Sequence, residues 1–443
     1  MKTQTILGAI LTLSFSLPAH AAQFNAATCS KTDVTTAINS AVDGDTVRIP
    51  GGSCTWTGAI STAKGINIIG AGEGVTMITG GGFDFSTPSG KGFRVSGMTI
   101  KGNAGLGIYS SSKTWRVDHI TFDTVTGRPS SRIIWIEPVG GQSSAGVIDH
   151  VTFRNPQSIQ VHYRGSQADG GNGEWMRPLG LGGSDAVYIE DSTFSHAVLE
   201  VSSPITDCDG GGRLVFRKNT VSNSYFEMHD AIIGGLRGCR KWEVYDNTFT
   251  KTYASGQCTY IGIRGGTGVV YNNTFVNPTD CDKGIQIVNY RTYQTDGDPW
   301  GSLCSNTTGK ACLNTLTKGP SSCTSDANCG GGAGSCIAID GPISSPSGYL
   351  CRDQIGTTGN SPQTSQPALF WNNLLDGVPV TTIDVTGGAY VAVNRDFCVS
   401  ATTKPASCNG VTTTYTPYTY PHPLTAGGGG GTPPGPPTNL VVK

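Results

Sequence analysis

A six-residue phrase that keeps returning constrains this chain more than any other feature. It runs apolar, any residue, most often His, Asp, Asn or Lys, any residue, Thr, apolar. It reads VSGMTI at 95–100, VDHITF at 117–122, IDHVTF at 148–153 and IEDSTF at 189–194. It continues as FRKNTV at 216–221, VYDNTF at 244–249, VYNNTF at 270–275 and a weaker FWNNLL at 370–375. From Thr to Thr the gaps are 22, 31, 41, 27, 28 and 26 residues. A phrase recurring at this interval marks stacked structural repeats. The shorter gaps, filled with β-prone runs and polar turns, match one coil of a parallel β-helix: three short strands, with coils stacked about 4.8 Å apart. The longer gaps predict coils that carry an inserted loop. Leucine-rich repeats would need regularly placed Leu, and a β-sandwich would show hairpin spacings of about 8–12 residues.

The expected fold is therefore all-β, a right-handed parallel β-helix (a three-sheet solenoid) with a short N-terminal capping helix. Asn219, Asn247, Asn273 and Asn373 suit either a tight turn needing a left-handed residue or an interior amide ladder. Val34, Ala37, Ile38, Ala41 and Val42 form one helical stripe, predicting a short amphipathic helix. Such a helix would cover the open end of the first coil, whose edge strands could otherwise pair with another chain. Asp43-Gly44-Asp45 then turns into a first strand, Thr46–Ile49.

Charge narrows the function. The chain has 30 Lys+Arg against 31 Asp+Glu, so it lacks the basic excess expected of a nucleic-acid binder. Residues 1–22 read as a secretory signal: Lys2, an apolar stretch at 6–17, and Ala19-His20-Ala21 as the cleavage site. No later apolar run is long enough to span a membrane. Residues 23–425 are read as the β-helix domain, with a disulfide-rich insertion at 291–366. Residues 426–443 are a Gly/Pro linker tail that closes like a truncated fibronectin-III start.

All 14 Cys follow the signal, and an even count in an exported chain predicts disulfides. Proximity suggests Cys29–Cys54, Cys208–Cys239, Cys258–Cys281 and Cys398–Cys408. Cys304, Cys312, Cys323, Cys329, Cys336 and Cys351 are left unassigned. No His stands among those six, which weighs against zinc.

Several stretches resemble secreted bacterial parallel β-helix proteins of the pectate-lyase superfamily. They are DVTTAINSAVDGDTVRIPGG (33–52), GINIIGAG (65–72), SDAVYIEDSTF (184–194), RLVFRKNTVSN (213–223), RGCRKWEVYDNTFT (237–250), GYLCRDQIG (348–356) and YTPYTYPHPL (415–424). The resemblance, to an uncharacterised branch, covers nearly all of the chain after the signal. It implies the fold and a carbohydrate-active role. VDHITF and IDHVTF are similar to the pectate-lyase phrase around a calcium-site Asp, here Asp118 and Asp149. The Arg-x-Pro-x-x-Arg motif of pectate lyases is missing, as are the paired-Asp and Gly-His-Gly motifs of polygalacturonases. Branch members tend to carry His-Gly where His229-Asp230 stands here, and Arg-Gly at Arg237-Gly238.

A candidate site follows from aligning the strand after each phrase by its apolar alternation. Outward residues then fall in two columns. One holds Trp135, Gln160, Glu200, Glu227, Gly262 and Gln286; the other holds Glu137, His162, Ser202, His229 and Arg264. With only 14% of residues charged, against about 25% in ordinary domains, this concentration on one face stands out. For β-elimination, His229 or His162 is the candidate base, with Arg264 and Arg237 neutralising the developing carboxylate-enolate. For hydrolysis, Glu200 and Glu227 on neighbouring coils are the candidate carboxylates. Glu137 and Gln160 are expected to bind substrate, and loop 163–180 would wall the groove with Tyr163, Arg164, Trp175 and Arg177. No cofactor follows from the sequence. Ca2+ stays open at the acidic pairs Asp207/Asp209, Asp280/Asp282 and Asp296/Asp298, which are otherwise plain turn chemistry.

The expectation is a secreted or cell-surface bacterial monomer whose partner is an acidic polysaccharide. It is read as a lyase of a uronic-acid polymer, with a glycoside hydrolase or a non-catalytic glycan-binding protein as alternatives.

Overall fold

The computed structural model describes residues 21–123, 132–139, 143–154, 159–166, 171–196, 204–231, 237–252, 259–276, 283–288, 309–312, 324–329, 336–339, 353–358, 364–386 and 391–426. Within them the chain winds as a parallel β-helix. A 21-stranded sheet, a 6-stranded sheet and a 4-stranded sheet run along it, and almost every pairing is parallel.

Each coil contributes two strands to the long sheet, separated by a sharp bend, and the recurring phrase is that bend. Its third residue takes the left-handed conformation: His119, His150, Asp191, Lys218, Asp246, Asn272 and Asn372 have φ between 49° and 57°. One such residue folds the long sheet into two arms, so the solenoid has three faces. The phrase Thr residues then stand in register, from Thr99 through Thr121, Thr152, Thr193, Thr220 and Thr248 to Thr274. The apolar residue after each Thr turns inward. Phe122, Phe153 and Phe194 stack with centroids 5.1 and 4.8 Å apart.

The four Asn residues resolve into the ladder, with the left-handed position taken by the residue before each of them. Asn247 Oδ1 accepts from the backbone N–H and the Nδ2 of Asn219 at 2.9 and 3.2 Å. Asn273 serves Asn247 at 3.1 and 2.9 Å, and Asn373 serves Asn273 at 3.2 and 2.9 Å. All four are buried. Each amide thus satisfies backbone groups that the bend would leave unpaired inside the core.

The capping helix spans Lys31–Ser40, with the Ser30 side chain accepting from the Asp33 N–H. Val34, Ala37, Ile38 and Ala41 are buried as expected. Val42 is 65% exposed, because the helix has ended before it and the stripe no longer applies. Thr46–Ile49 is a strand as expected, but a strand at Gln23–Asn25 precedes and pairs with it. The disulfides Cys29–Cys54, Cys208–Cys239 and Cys398–Cys408 are formed. Cys258 and Cys281, residues 1–20, the tail beyond 426 and most of 291–366 lie outside the described residues. No helix among the described residues is long and apolar enough to cross a membrane.

The segment 413–426 straps the outside of the long sheet. Arg217 donates to Tyr418 O and Thr419 O, both at 2.9 Å, and Glu190 Oε1 accepts from His422 N–H at 2.8 Å. Tyr415 Oη donates to Glu243 at 2.9 Å.

Candidate functional site

The described residues of the two expected columns lie along the third face. There the strands Arg132–Ile136, Ile159–Arg164 and Thr206–Asp209 of one sheet are followed by Phe226–Met228, Thr259–Ile263 and Lys283–Val288 of the next. Glu227, Gly262 and Gln286 stand opposite one another, as the alternation required. Between the two sheets the ladder is interrupted. Thr206 Oγ1 donates to Glu227 O at 2.9 Å and lies 3.3 Å from Glu227 N, so a side chain replaces part of the backbone pairing.

The reachable part of the site is a cluster on two adjacent coils. Arg264 Nη1 donates to Glu227 Oε1 at 2.6 Å, and its Nη2 donates to Asp230 Oδ1 at 2.9 Å. His229 Nδ1 lies 3.4 Å from the same Asp230 oxygen. The side chains of Glu227 and His229 are each 18% exposed and that of Arg264 is 11% exposed, so solvent reaches all three. Burial lowers the His229 pKa, but the Asp230 hydrogen bond and the Asp207 charge outweigh it and leave it above the ordinary imidazole value. With Nδ1 turned to Asp230, Nε2 is the nitrogen free to take a proton.

Behind this cluster lies a buried one. His162 is fully buried, stacked on Trp135 at 5.0 Å, with Nδ1 3.1 Å from Asp207 and Nε2 3.3 Å from Asp209. Burial opposes the imidazolium, yet the two carboxylates prevail and its pKa is pushed up to about 9. Burial also opposes the Asp207 charge, but His162 holds that carboxyl well below the usual range. Donor atoms of His162, Asp207 and Asp209 lie within 4.8 Å of one another, the spacing a cation would need. Arg164 donates to Asp209 at 2.9 Å, and Arg132 Nε lies 3.2 Å from His162 Nδ1. Two guanidinium ions and an imidazolium therefore already outnumber the two carboxylates, and a divalent ion would add to that excess.

Several expected roles are corrected. His162 is closed off from any substrate, because it lies fully buried beneath Trp135 and between two carboxylates. Its strand is also shifted by two residues from the alignment, with His162, not Gln160, opposite Trp135. Gln160 is fully buried and unavailable as a substrate contact. Tyr163 faces the core, where its hydroxyl donates to Ser144 O at 2.9 Å. Trp175 is fully buried in the short helix Asn172–Met176, donating to Gly238 O at 2.9 Å. Arg237 lies 4.5 Å above the Trp175 ring and donates to Asp353 at 2.7 Å. It is 2% exposed and acts as a structural tie, not a catalytic cation. Arg177 bonds Glu174 and Ser143 and pairs with Asp185. Glu137 is half-buried at the end of its strand. Glu200 and Ser202 lie outside the described residues, as do Asp280, Asp282, Asp296 and Asp298.

The calcium-like phrases end in arginine forks. Arg94 closes on both oxygens of Asp118 at 2.6 Å, and Arg116 closes on Asp149 at 2.8 and 2.7 Å. Asp207, Asp209 and Asp230 are the site residues the sequence undervalued. The first two belong to a strand, not a turn, and the buried Cys208 between them was the available signal of alternation.

No family model and no curated protein matches the chain. Among solved structures, an alginate lyase from Paenibacillus sp. str. FPU-7 matches at a TM-score of 0.34 and 12% identity, over 57% of this chain and 95% of that one. A mutant of the PL6 family alginate lyase AlyGC matches at a TM-score of 0.36 and 15% identity, over 60% of this chain and 40% of that one. Both likenesses are faint.

Proposed function

We propose that the chain is a polysaccharide lyase that cleaves a uronic-acid-containing polymer by β-elimination on its third face. The observation that carries this is the convergence of His229, Glu227, Asp230 and Arg264 on adjacent coils, linked by contacts of 2.6, 2.9 and 3.4 Å. The uronate carboxylate takes Glu227's place on Arg264, whose guanidinium then stabilises the enolate that develops. His229 Nε2 removes the C5 proton; the electron pair forms the C4=C5 bond and the C4–O4 bond breaks. The imidazolium returns its proton to the departing O4, so the cycle closes without a further reagent. Asp230 holds the imidazole tautomer, and the buried His162–Asp207–Asp209 group fixes the strand beside it.

The proposal is tested by incubating the protein with pectate, alginate, hyaluronan and chondroitin sulfate while following the ultraviolet absorbance of the new C4=C5 bond. A rise on one of them, lost in His229→Ala, supports it. New reducing ends without that absorbance would identify a hydrolase instead. Neither signal on any of the four polymers would contradict an enzymatic role on these substrates.

A further inference from the structure

A cleft of about 620 Å³ lies on a different face of the solenoid from the His229 cluster. It opens where the strap 413–426 crosses the bend between the two arms of the long sheet. His150, Asp191 and Lys218 line it from three consecutive bends, Thr193 and Thr220 form its floor, and Tyr420 and Pro421 its wall. Both Thr residues are exposed.

The charged groups around it are already paired. Asp191 accepts from the Tyr420 hydroxyl at 2.8 Å. Lys218 Nζ sits 4.7 Å over the Tyr420 ring and 3.2 Å from Asp246. Arg116 is closed on Asp149, and His150 Nδ1 also faces Asp149 at 2.9 Å. Each cation here faces a carboxylate, so none is left over to hold an acidic ligand. Asp191 has a second carboxylate oxygen, Lys218 has further N–H groups, and Thr193 and Thr220 present hydroxyls, all beside a half-exposed aromatic ring. A carboxylate and an ammonium one coil apart can accept from and donate to two neighbouring hydroxyls of one ligand. Pro421 and the exposed part of Tyr420 offer apolar contact to the C–H groups of a ring.

We propose that this cleft binds a neutral, hydroxyl-rich sugar chain running along the solenoid axis. The floor supports that direction. Thr152, Thr193, Thr220, Thr248 and Thr274 follow one another in register, so hydroxyls recur at the coil spacing of about 4.8 Å. That interval is close to the length of one pyranose in an extended glycan. The cleft is a docking site, separate from the elimination site, and does not rest on it.

Isothermal titration of the full chain with cellohexaose, xylohexaose, mannohexaose and maltohexaose, and with an oligomannuronate of equal length, tests the proposal. At least one neutral oligosaccharide binds more tightly than the oligomannuronate. Thr220→Trp, which fills the floor, and Asp191→Asn, which removes an acceptor charge, each weaken it on the order of tenfold or more. Thermal melts confirm that both variants fold, and Thr220→Trp leaves any turnover of short acidic oligosaccharides unchanged. Failure of all four neutral sugars to bind, preference for the oligomannuronate, or binding that survives both substitutions would overturn the proposal.

Discussion

Arg264 grips Glu227 across one coil of the solenoid, with a guanidinium-to-carboxylate distance of 2.6 Å between residues 37 apart in sequence. The same guanidinium holds Asp230, so one cation organises the acids around His229. Arg264→Ala should lower kcat/KM on an acidic polymer by a factor on the order of 10²–10³, the range for losing a preorganised charge stabiliser. Arg264→Lys should retain part of the activity. Equal activity in Ala and Lys variants of matched thermal stability would remove Arg264 from the chemistry.

The pH profile follows from His229. As a base it must be neutral, and its surroundings raise its pKa above the ordinary imidazole value. Activity should therefore climb with pH through a midpoint above the ordinary imidazole value of about 6.5. In Asp230→Asn, which weakens the group holding the proton, the rising limb should shift to lower pH. A rate that falls as pH rises through neutrality would assign His229 the role of acid instead.

His162 makes a separate, structural prediction. Its folded pKa of about 9 exceeds the ordinary 6.5, so its ion pairs with Asp207 and Asp209 stabilise the fold fully below pH 6.5. That contribution fades as pH rises towards and through about 9. Lys251, buried with its pKa lowered to about 7, contributes in the opposite sense as pH rises. The melting-temperature difference between wild type and His162→Gln isolates the imidazole. It should be largest near pH 6 and shrink by pH 10; a pH-independent difference would contradict the buried imidazolium.

Along the core, Asn247 bridges two neighbours. Replacing it with Ala removes the acceptor for Asn219 and the donor to Asn273, leaving buried polar groups unpaired at about 1–3 kcal/mol each. Urea unfolding should show Asn247→Ala to be strongly destabilised. Thr248→Ser, on the exposed row one residue later, should change stability by less than about 0.5 kcal/mol.

The Cys208–Cys239 disulfide closes a 31-residue separation directly between Asp207 and Asp209. The paired Cys→Ala variant should lose about 3–4 kcal/mol. Because the strand carrying both acids is then less fixed, it should also lose the difference between wild type and His162→Gln. Retention of that difference would show that the strand is held by pairing alone.

Much of this architecture was legible because the phrase encodes a physical event. A left-handed bend needs a residue that tolerates positive φ, an outward Thr and an inward aromatic follow, and the trio returns with each coil. Glu227, Gly262 and Gln286 aligned correctly because their strands share an uninterrupted alternation of apolar residues. His162 did not, since Ile159-Gln160-Val161-His162 has the same apolar alternation whether it is paired in register or two residues on, and the strand pairs two residues on. In the sequence Trp175 and Arg237 look like surface groups because they are buried against each other, 62 residues apart, and Arg237 bonds Asp353, more than a hundred residues away, which no local pattern reveals. Arginine and tryptophan buried together look, in sequence, like a sugar-binding surface.

The most direct test is a crystal structure of His229→Asn with a bound uronic-acid oligosaccharide. The account predicts a uronate carboxylate on Arg264, with C5 of the same sugar facing position 229. An oligosaccharide seated on another face, with Arg264 still closed on Glu227, would contradict it.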